Sequence, residues 1–227
     1  GSQKQHTPVE QPDSAQSMAR CRMLLALGEG EFAGGLDATR IFLDGTPLGN
    51  ADGSMNFESV SWDFRPGTQV QEPIPGFPAV ENETSIGVPL TNAAPWTRAI
   101  SNTQIDAVLV RVGITGLQQQ ENDGDIVGTT VRYHIDLAVD GGAYSTVMTK
   151  TVTEKLSSLY ELTHRINLPK ATTGWQIRVV RDTADSTSAM LQNKTQVQAI
   201  TEVIDARLRY PHTALLYVSF NAKSFSN

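Results

Sequence analysis

The chain is poor in the residues that most catalytic and metal-binding motifs require. Its 227 residues include one cysteine, Cys21, and four scattered histidines, His6, His134, His164 and His212. A lone cysteine excludes an intrachain disulfide and a cysteine-based metal cluster. Arg20 and Arg22 flank Cys21 and would favour its thiolate. With no paired histidine or helix N-terminus, however, it reads as a small half-buried residue at a strand start. Neither HExxH nor GxSxG occurs. Basic residues are outnumbered, 18 Lys and Arg against 24 Asp and Glu, for a net charge of −6. That balance disfavours a non-specific grip on nucleic acid or anionic lipid. There is no apolar run of the length a membrane-spanning helix needs. Gly1-Ser2 reads as a cloning scar, and no secretory apolar segment follows it. No catalytic residue, cofactor or metal is expected.

What the chain does have is period-two alternation and turn residues. Residues 1–17 are polar, contain Pro8 and Pro12, and show no period. They are expected to be a disordered arm, or one that orders on a neighbouring molecule. From Met18 the apolar run "ARCRMLLAL" leads into the turn glycines of "GEGEFAGG", and "RIFLDG" alternates before an Asp44-Gly45 turn. Val60, Trp62 and Phe64 share a strand face. Residues 66–95 hold six prolines and read as extended, loop-rich chain.

After Trp96 the rhythm is regular. Val108, Val110, Val112 and Ile114 fall on one face of a strand. Val131, Tyr133, Ile135, Leu137 and Val139 do so in "TVRYHIDLAV", with Arg132, His134 and Asp136 opposite. Asp140-Gly141-Gly142 reads as a hairpin turn. Tyr160, Leu162, Ile166 and Leu168 alternate next, then Trp175, Ile177 and Val179. Five or more short strands over about a hundred residues predict an antiparallel β-sandwich. Composition places its limits near Trp96 and Ile204. The stretch "TQVQAITEVIDARLRYPH" is ambiguous. Ile200, Val203, Ile204 and Leu208 have helical spacing, but the β-branched content and Pro211 favour a strand with a bend. "ALLYVSF" is a further strand.

Few motifs suggest chemistry. "GEGEFAGG" has phosphate-loop glycines, but Glu29 and Glu31 would repel an anion and no helix pattern follows. "ENDGD", Glu121 to Asp125, clusters carboxylates without the EF-hand spacing, and reads as a solvated hairpin loop rather than a calcium site. Trp62 and Trp175 belong to strand faces that pack a core. Trp96, in "APWTR" at the expected boundary, and His164, on the apolar side of its strand, are candidate ligand or interface residues. Arg207 and Arg209 join them on the passage that follows the sandwich.

The order of "EGEFAGGLDATRIFLDGTPL", "FRPGTQVQEPIPGF", "RDTADSTSAMLQNKTQVQAITEVID" and "YPHTALLYVSF" resembles the N-terminal part of the tip attachment protein J family of lambda-like phages and prophages, also called host specificity protein J. Glu31 follows Gly30 where the family often has proline, which touches only the turn. The resemblance implies an all-β chain. A discontinuous, β-barrel-like tail-hub domain, residues 18–96 with 205–227, would carry an inserted fibronectin- or immunoglobulin-like sandwich, 97–204. It also implies a non-enzymatic structural role at the virion tail tip, after synthesis in the host cytoplasm. Partners would be other tail-tip proteins, with a trimer in the longer parent. Host-receptor contact would lie in C-terminal regions outside this chain, and the isolated chain would be mostly monomeric. A surface-glycan or host-protein binding module, using the sandwich, is the alternative. A glycan hydrolase ranks last, because the acidic residues fall mostly in turns.

Overall fold

The computed structural model describes residues 6–57, 59–77 and 79–222. It is all-β and divides into two compact units. One comprises residues 1–17 and 81–204, the other residues 18–80 and 205–227.

The second unit begins with β1 (Arg20–Glu29). A single turn of 3-10 helix, Ala38–Arg40, follows, capped by the Asp37 carboxylate, which accepts from the Thr39 amide at 2.8 Å. The short strands β2 (Phe42–Leu43) and β3 (Thr46–Pro47) form a hairpin. Its turn residues Asp44 and Gly45 both have positive φ, 47° and 75°. This is the geometry that makes Asp-Gly a favoured two-residue hairpin loop. Then comes β4 (Ser61–Arg65).

The other unit contains eleven strands. They are β5 (Ala79–Leu90), β6 (Trp96–Ile100), β7 (Ala107–Ile114), β8 (Gln118–Gln120), β9 (Ile126–Val127) and β10 (Thr129–Val139). After them come β11 (Ser145–Glu154), β12 (Tyr160–Asn167), β13 (Trp175–Arg181), β14 (Leu191–Gln192) and β15 (Thr195–Asp205). Two four-stranded sheets form the sandwich, in the orders β11-β10-β13-β6 and β12-β7-β15-β5, and β14-β8-β9 makes a small third sheet. Inward residues from both main sheets meet in one core. It includes Val108, Val110 and Val112 of β7, Tyr133 and Ile135 of β10, Ile177 and Val179 of β13, and Trp175. These are the side chains that period-two alternation predicts.

The chain returns to the second unit as β16 (Thr213–Asn221), which lies between β1 and β4 in an antiparallel sheet. Leu216 and Val218 pack there with Ile41 and Leu48, and the half-buried Trp62 lies against them. Among the described residues no sheet closes into a barrel. In the order β1-β16-β4 the outer strands β1 and β4 are not paired with each other, so this sheet is open where a barrel-like body was expected.

Two further expectations are revised. The sandwich takes in β5 and β6, so its unit begins at residue 81 rather than 97. The prolines of 66–95 concealed β5. As an edge strand β5 tolerates Pro89, because an edge position has unpaired amides to spare. The arm, 1–17, groups with the sandwich. Its residues 1–5 lie outside the described residues, while 6–17 run along the sandwich surface, without regular secondary structure beyond an isolated bridge.

The ambiguous stretch is strand through Asp205. A register shift between Val197 and Ala199 inserts Gln198 as a bulge. The extra residue breaks strict alternation. The bend falls later, where Tyr210 and His212 have φ of 46° and 59°. Gln71 fastens this passage within the second unit. Its Nε2 donates to the carbonyls of Arg209, Tyr210 and Thr213 at 2.7–2.9 Å, and its Oε1 accepts from the Gly67 amide at 2.8 Å.

Candidate functional site

The second unit carries an apolar groove beside an edge strand. In "MLLAL", Met23, Leu25 and Leu27 line this groove with Leu216 and Val218, and because β1 is an edge strand Leu25 and Leu27 stay partly exposed. Leu25 and Leu27 are 43% and 42% exposed, and Phe42 of β2 is 59% exposed. Between them runs a groove of about 280 Å³, lined by Met23, Leu25, Leu27, Phe42, Leu43 and Leu216 among others, with Arg40 also on its wall. Among the described residues β1 has a partner strand on one side only, and such an edge beside an apolar groove can receive an extended segment. Its backbone would extend the sheet and its alternate side chains would enter the groove.

The residues selected from sequence do not converge. Trp96 begins β6, opposite Val179, and packs half-buried against the sandwich core. His164 is in β12, in the other main sheet. Its Nε2 lies 2.7 Å from the Tyr133 hydroxyl, so the bond crosses the core from sheet to sheet. The two rings meet edge-to-face at 5.7 Å. Burial, helped by the Lys150 charge, pushes the His164 imidazole down to about 4. Burial also raises the Tyr133 phenol. His164 is thus a neutral structural residue at pH 7. Because its folded pKa is depressed, the unfolded chain binds the proton first as pH falls. Stability is expected to decline between about pH 6.5 and about pH 4 from this group, and the decline should vanish in His164→Gln. Urea titrations across that window, with the imidazole shifts followed by NMR, check it; an imidazole that titrates near 6.5 would contradict it. Arg207 and Arg209 are exposed on the passage before β16, where the Arg209 carbonyl is one of the Gln71 acceptors.

Among the described residues Asp136 is the one buried carboxylate, and it is occupied by structural contacts. Arg178 Nη2 and Nε donate to it at 2.7 and 3.0 Å, and Thr146 donates at 2.7 Å. Burial alone would raise its pKa, but these hydrogen bonds outweigh burial and hold it below the usual range.

Sequence reading missed the docking of the arm. Gln11 N donates to the Ile126 carbonyl and Ile126 N to the Val9 carbonyl, both at 2.9 Å, so the arm adds a parallel bridge beside β9. Asp125 accepts from Val9 N at 2.7 Å and lies 2.8 Å from His6 Nε2. The Lys155 side chain is 4% exposed, and its Nζ donates to Glu10 at 2.5 Å and to Asp13 at 3.0 Å. Asp13 also accepts from the Ser157 amide and hydroxyl, at 3.0 and 2.6 Å, and these bonds with Lys155 keep its pKa low. Ser14 exchanges bonds with the Lys155 backbone, donating at 2.9 Å and accepting at 2.8 Å. No sequence pattern links "VEQPDS" to "EKLS", because the pairing spans more than 140 residues. Residues 121–125 form the expected loop, between β8 and β9. His6, Asp123 and Asp125 cluster there, but the trio is largely exposed and Asp125 already holds the arm, so no cation is assigned to it.

Comparison with known proteins adds the following. Residues 80–206 match the family model of the tip attachment protein J FNIII-A domain. The tip attachment protein J of Escherichia phage SECphi4 is 54% identical over 232 residues, covering 100% of this chain and 20% of that protein. That of Escherichia phage SECphi27 is 36% identical over 225 residues, covering 99% and 19%. The chain therefore spans about a fifth of the length of these curated relatives. Among solved structures, the C-terminal family 22 carbohydrate binding module of Clostridium thermocellum Xyn10B aligns at 15% identity over 63% of this chain and 96% of its own. Its TM-score of 0.32 is too low to carry a functional argument.

Proposed function

Given that this chain belongs to the tip attachment protein J family, we propose that it is a non-catalytic building segment of a phage tail tip. The discontinuous unit is the hub-forming part, and the fibronectin-like sandwich is inserted in its sequence. The observation that carries this reading is the β1 edge with its apolar groove. Isolated proteins seldom leave such an edge uncovered. Its occupant is an extended strand of another tail-tip protein, and the parent is placed in the virion by that contact.

The glycan-binding alternative draws little support, because the Trp96 ring packs against the sandwich core instead of forming an open platform. The network of buried Asp136 with Arg178 and Thr146 is likewise structural.

Leu25→Asp combined with Leu27→Asp, introduced into the parent protein of an infecting phage, tests the assembly reading. The yield of complete tails is expected to fall by about thirtyfold or more, the scale of losing one central interface anchor. The same pair in the isolated chain is expected to leave it folded, as judged by circular dichroism, since the two side chains are 43% and 42% exposed. Normal tail yield would refute the assignment of this edge.

A further inference from the structure

The arm and its socket have features of an exchangeable joint. Residues 1–17 group with the sandwich, yet the chain passes directly from Ser17 to Met18 of the other unit. The strap is thus attached covalently to one body and held non-covalently by another. Its grip is almost wholly polar. Two backbone bonds join it to Ile126, carboxylates hold Lys155, and Asp13 caps the Ser157 amide. Its apolar contacts are small: Ala15 packs against the cluster of Leu117, Val131 and Leu156, and Pro8 lies over Gly124. The socket is also shaped for this segment. Gly124 has a φ of +97°, and a Cβ there would sit 2.7 Å from Pro8 Cγ. With the arm in place Lys155 is almost fully covered, and Glu10 and Asp13, the carboxylates that pair with it, both belong to the arm. Such a socket suits an acidic extended segment. Any second copy of this chain carries one that reproduces every contact.

We infer that the socket around Lys155, Ser157 and the β9 edge also takes residues 6–17 of a second copy, making the arm an exchangeable tie between copies. Cis and exchanged forms share the same contacts, so local concentration sets their balance. A dilute chain closes on itself, and copies held side by side exchange arms. This inference stands apart from the role of the β1 edge, and either can fail alone.

Charge-swapped partners test it on the full chain. One variant carries Lys155→Glu and the other carries Glu10→Lys with Asp13→Lys. Each alone should lose amide protection at Val9, Gln11 and Ser14 by about tenfold or more. Mixed in equal amounts near about 1 mM, the scale of a short tether's effective concentration, they should form a one-to-one dimer by light scattering and regain that protection. The three substitutions in one chain should restore protection without dimerisation. A mixture that stays monomeric and unprotected overturns the proposal. So does a single variant that keeps its arm protected, since the charges would then not hold it. Should either variant fail to fold, wild-type latches serve. A spin label on Thr7→Cys in a Cys21→Ser background is mixed with isotope-labelled wild-type chain. Broadening of the Ile126 and Lys155 amides in the labelled copies is expected, and its absence refutes exchange.

Discussion

Arg181→Met is expected to destabilise the sandwich by about 3–5 kcal/mol, the cost of removing one partner from a buried charged network. Arg181 is 1% exposed and occupies an inward position at the end of β13, in register with Trp175, Ile177 and Val179. Its guanidinium donates to the carbonyls of Thr183 at 2.9 Å and Asn193 at 2.6 Å, and to Thr195 Oγ1 at 2.9 Å. Thr195 in turn donates to the Leu90 carbonyl at 2.9 Å. One side chain therefore joins β13 of one main sheet to β15 and β5 of the other. It also fixes the connection that follows β13, where Asp185 supplies a carboxylate at 3.3 Å. Burial lowers the Arg181 pKa and the Asp185 charge opposes that, so the ion remains a cation. Methionine would match much of the volume but leave buried carbonyls without donors, at about 1–3 kcal/mol each. The control is Arg132→Met, whose partner Asp182 lies at 3.4 Å in an exposed pair and should matter by less than about 1 kcal/mol. Urea midpoints with unchanged m-values distinguish the two. A loss below about 1 kcal/mol for Arg181→Met would show that water replaces the network without cost.

Gly174→Ala should cost about 3 kcal/mol by a different route, combining backbone strain with an unavoidable clash. Gly174 has a φ of +124°, and a Cβ there would lie 2.1 Å from the Ile100 carbonyl oxygen and 3.1 Å from its carbon. That carbonyl is backbone at the end of β6, paired with β13 opposite Trp175, so no side chain can swing aside. The segment is held from the other side as well. The Asp140 carboxylate accepts from the amides of Thr172 at 2.9 Å, Thr173 at 2.6 Å and Gly174 at 3.3 Å, which keeps its pKa down at about 2. Relaxing Gly174 would disturb these bonds, the β6–β13 pairing, or both. Gly141→Ala is the comparison. Its φ is +75° with nothing within 4 Å of a Cβ, so only the left-handed conformation is penalised, by about 1 kcal/mol. Equal losses at the two sites would indicate that the β6 end yields freely.

The sequence by itself determined the β class, the inward faces of β7, β10 and β13, the Asp44-Gly45 turn, and β16 as a late strand. Each of these depends on neighbours within a few residues, through side-chain alternation or the φ preference of one residue, and such signals survive without tertiary knowledge. Motif order also carried the family resemblance. Tertiary structure alone decided the rest. Nothing in the sequence analysis singled out Arg181, which is recognised only where Asn193, Thr195 and Thr183 converge on it. His164 was singled out for ligand contact, and only the approach of Tyr133 from the opposite sheet makes it a neutral core histidine. β5 became a strand because an edge place was open beside β15, despite its proline and its polar run. The polar arm had no local reason to order. Lys155 and Asp125, each more than 110 residues away, supply it. In all four cases the deciding partner lies far along the chain, and hydrogen-bond geometry between distant residues leaves no periodic trace in a single sequence.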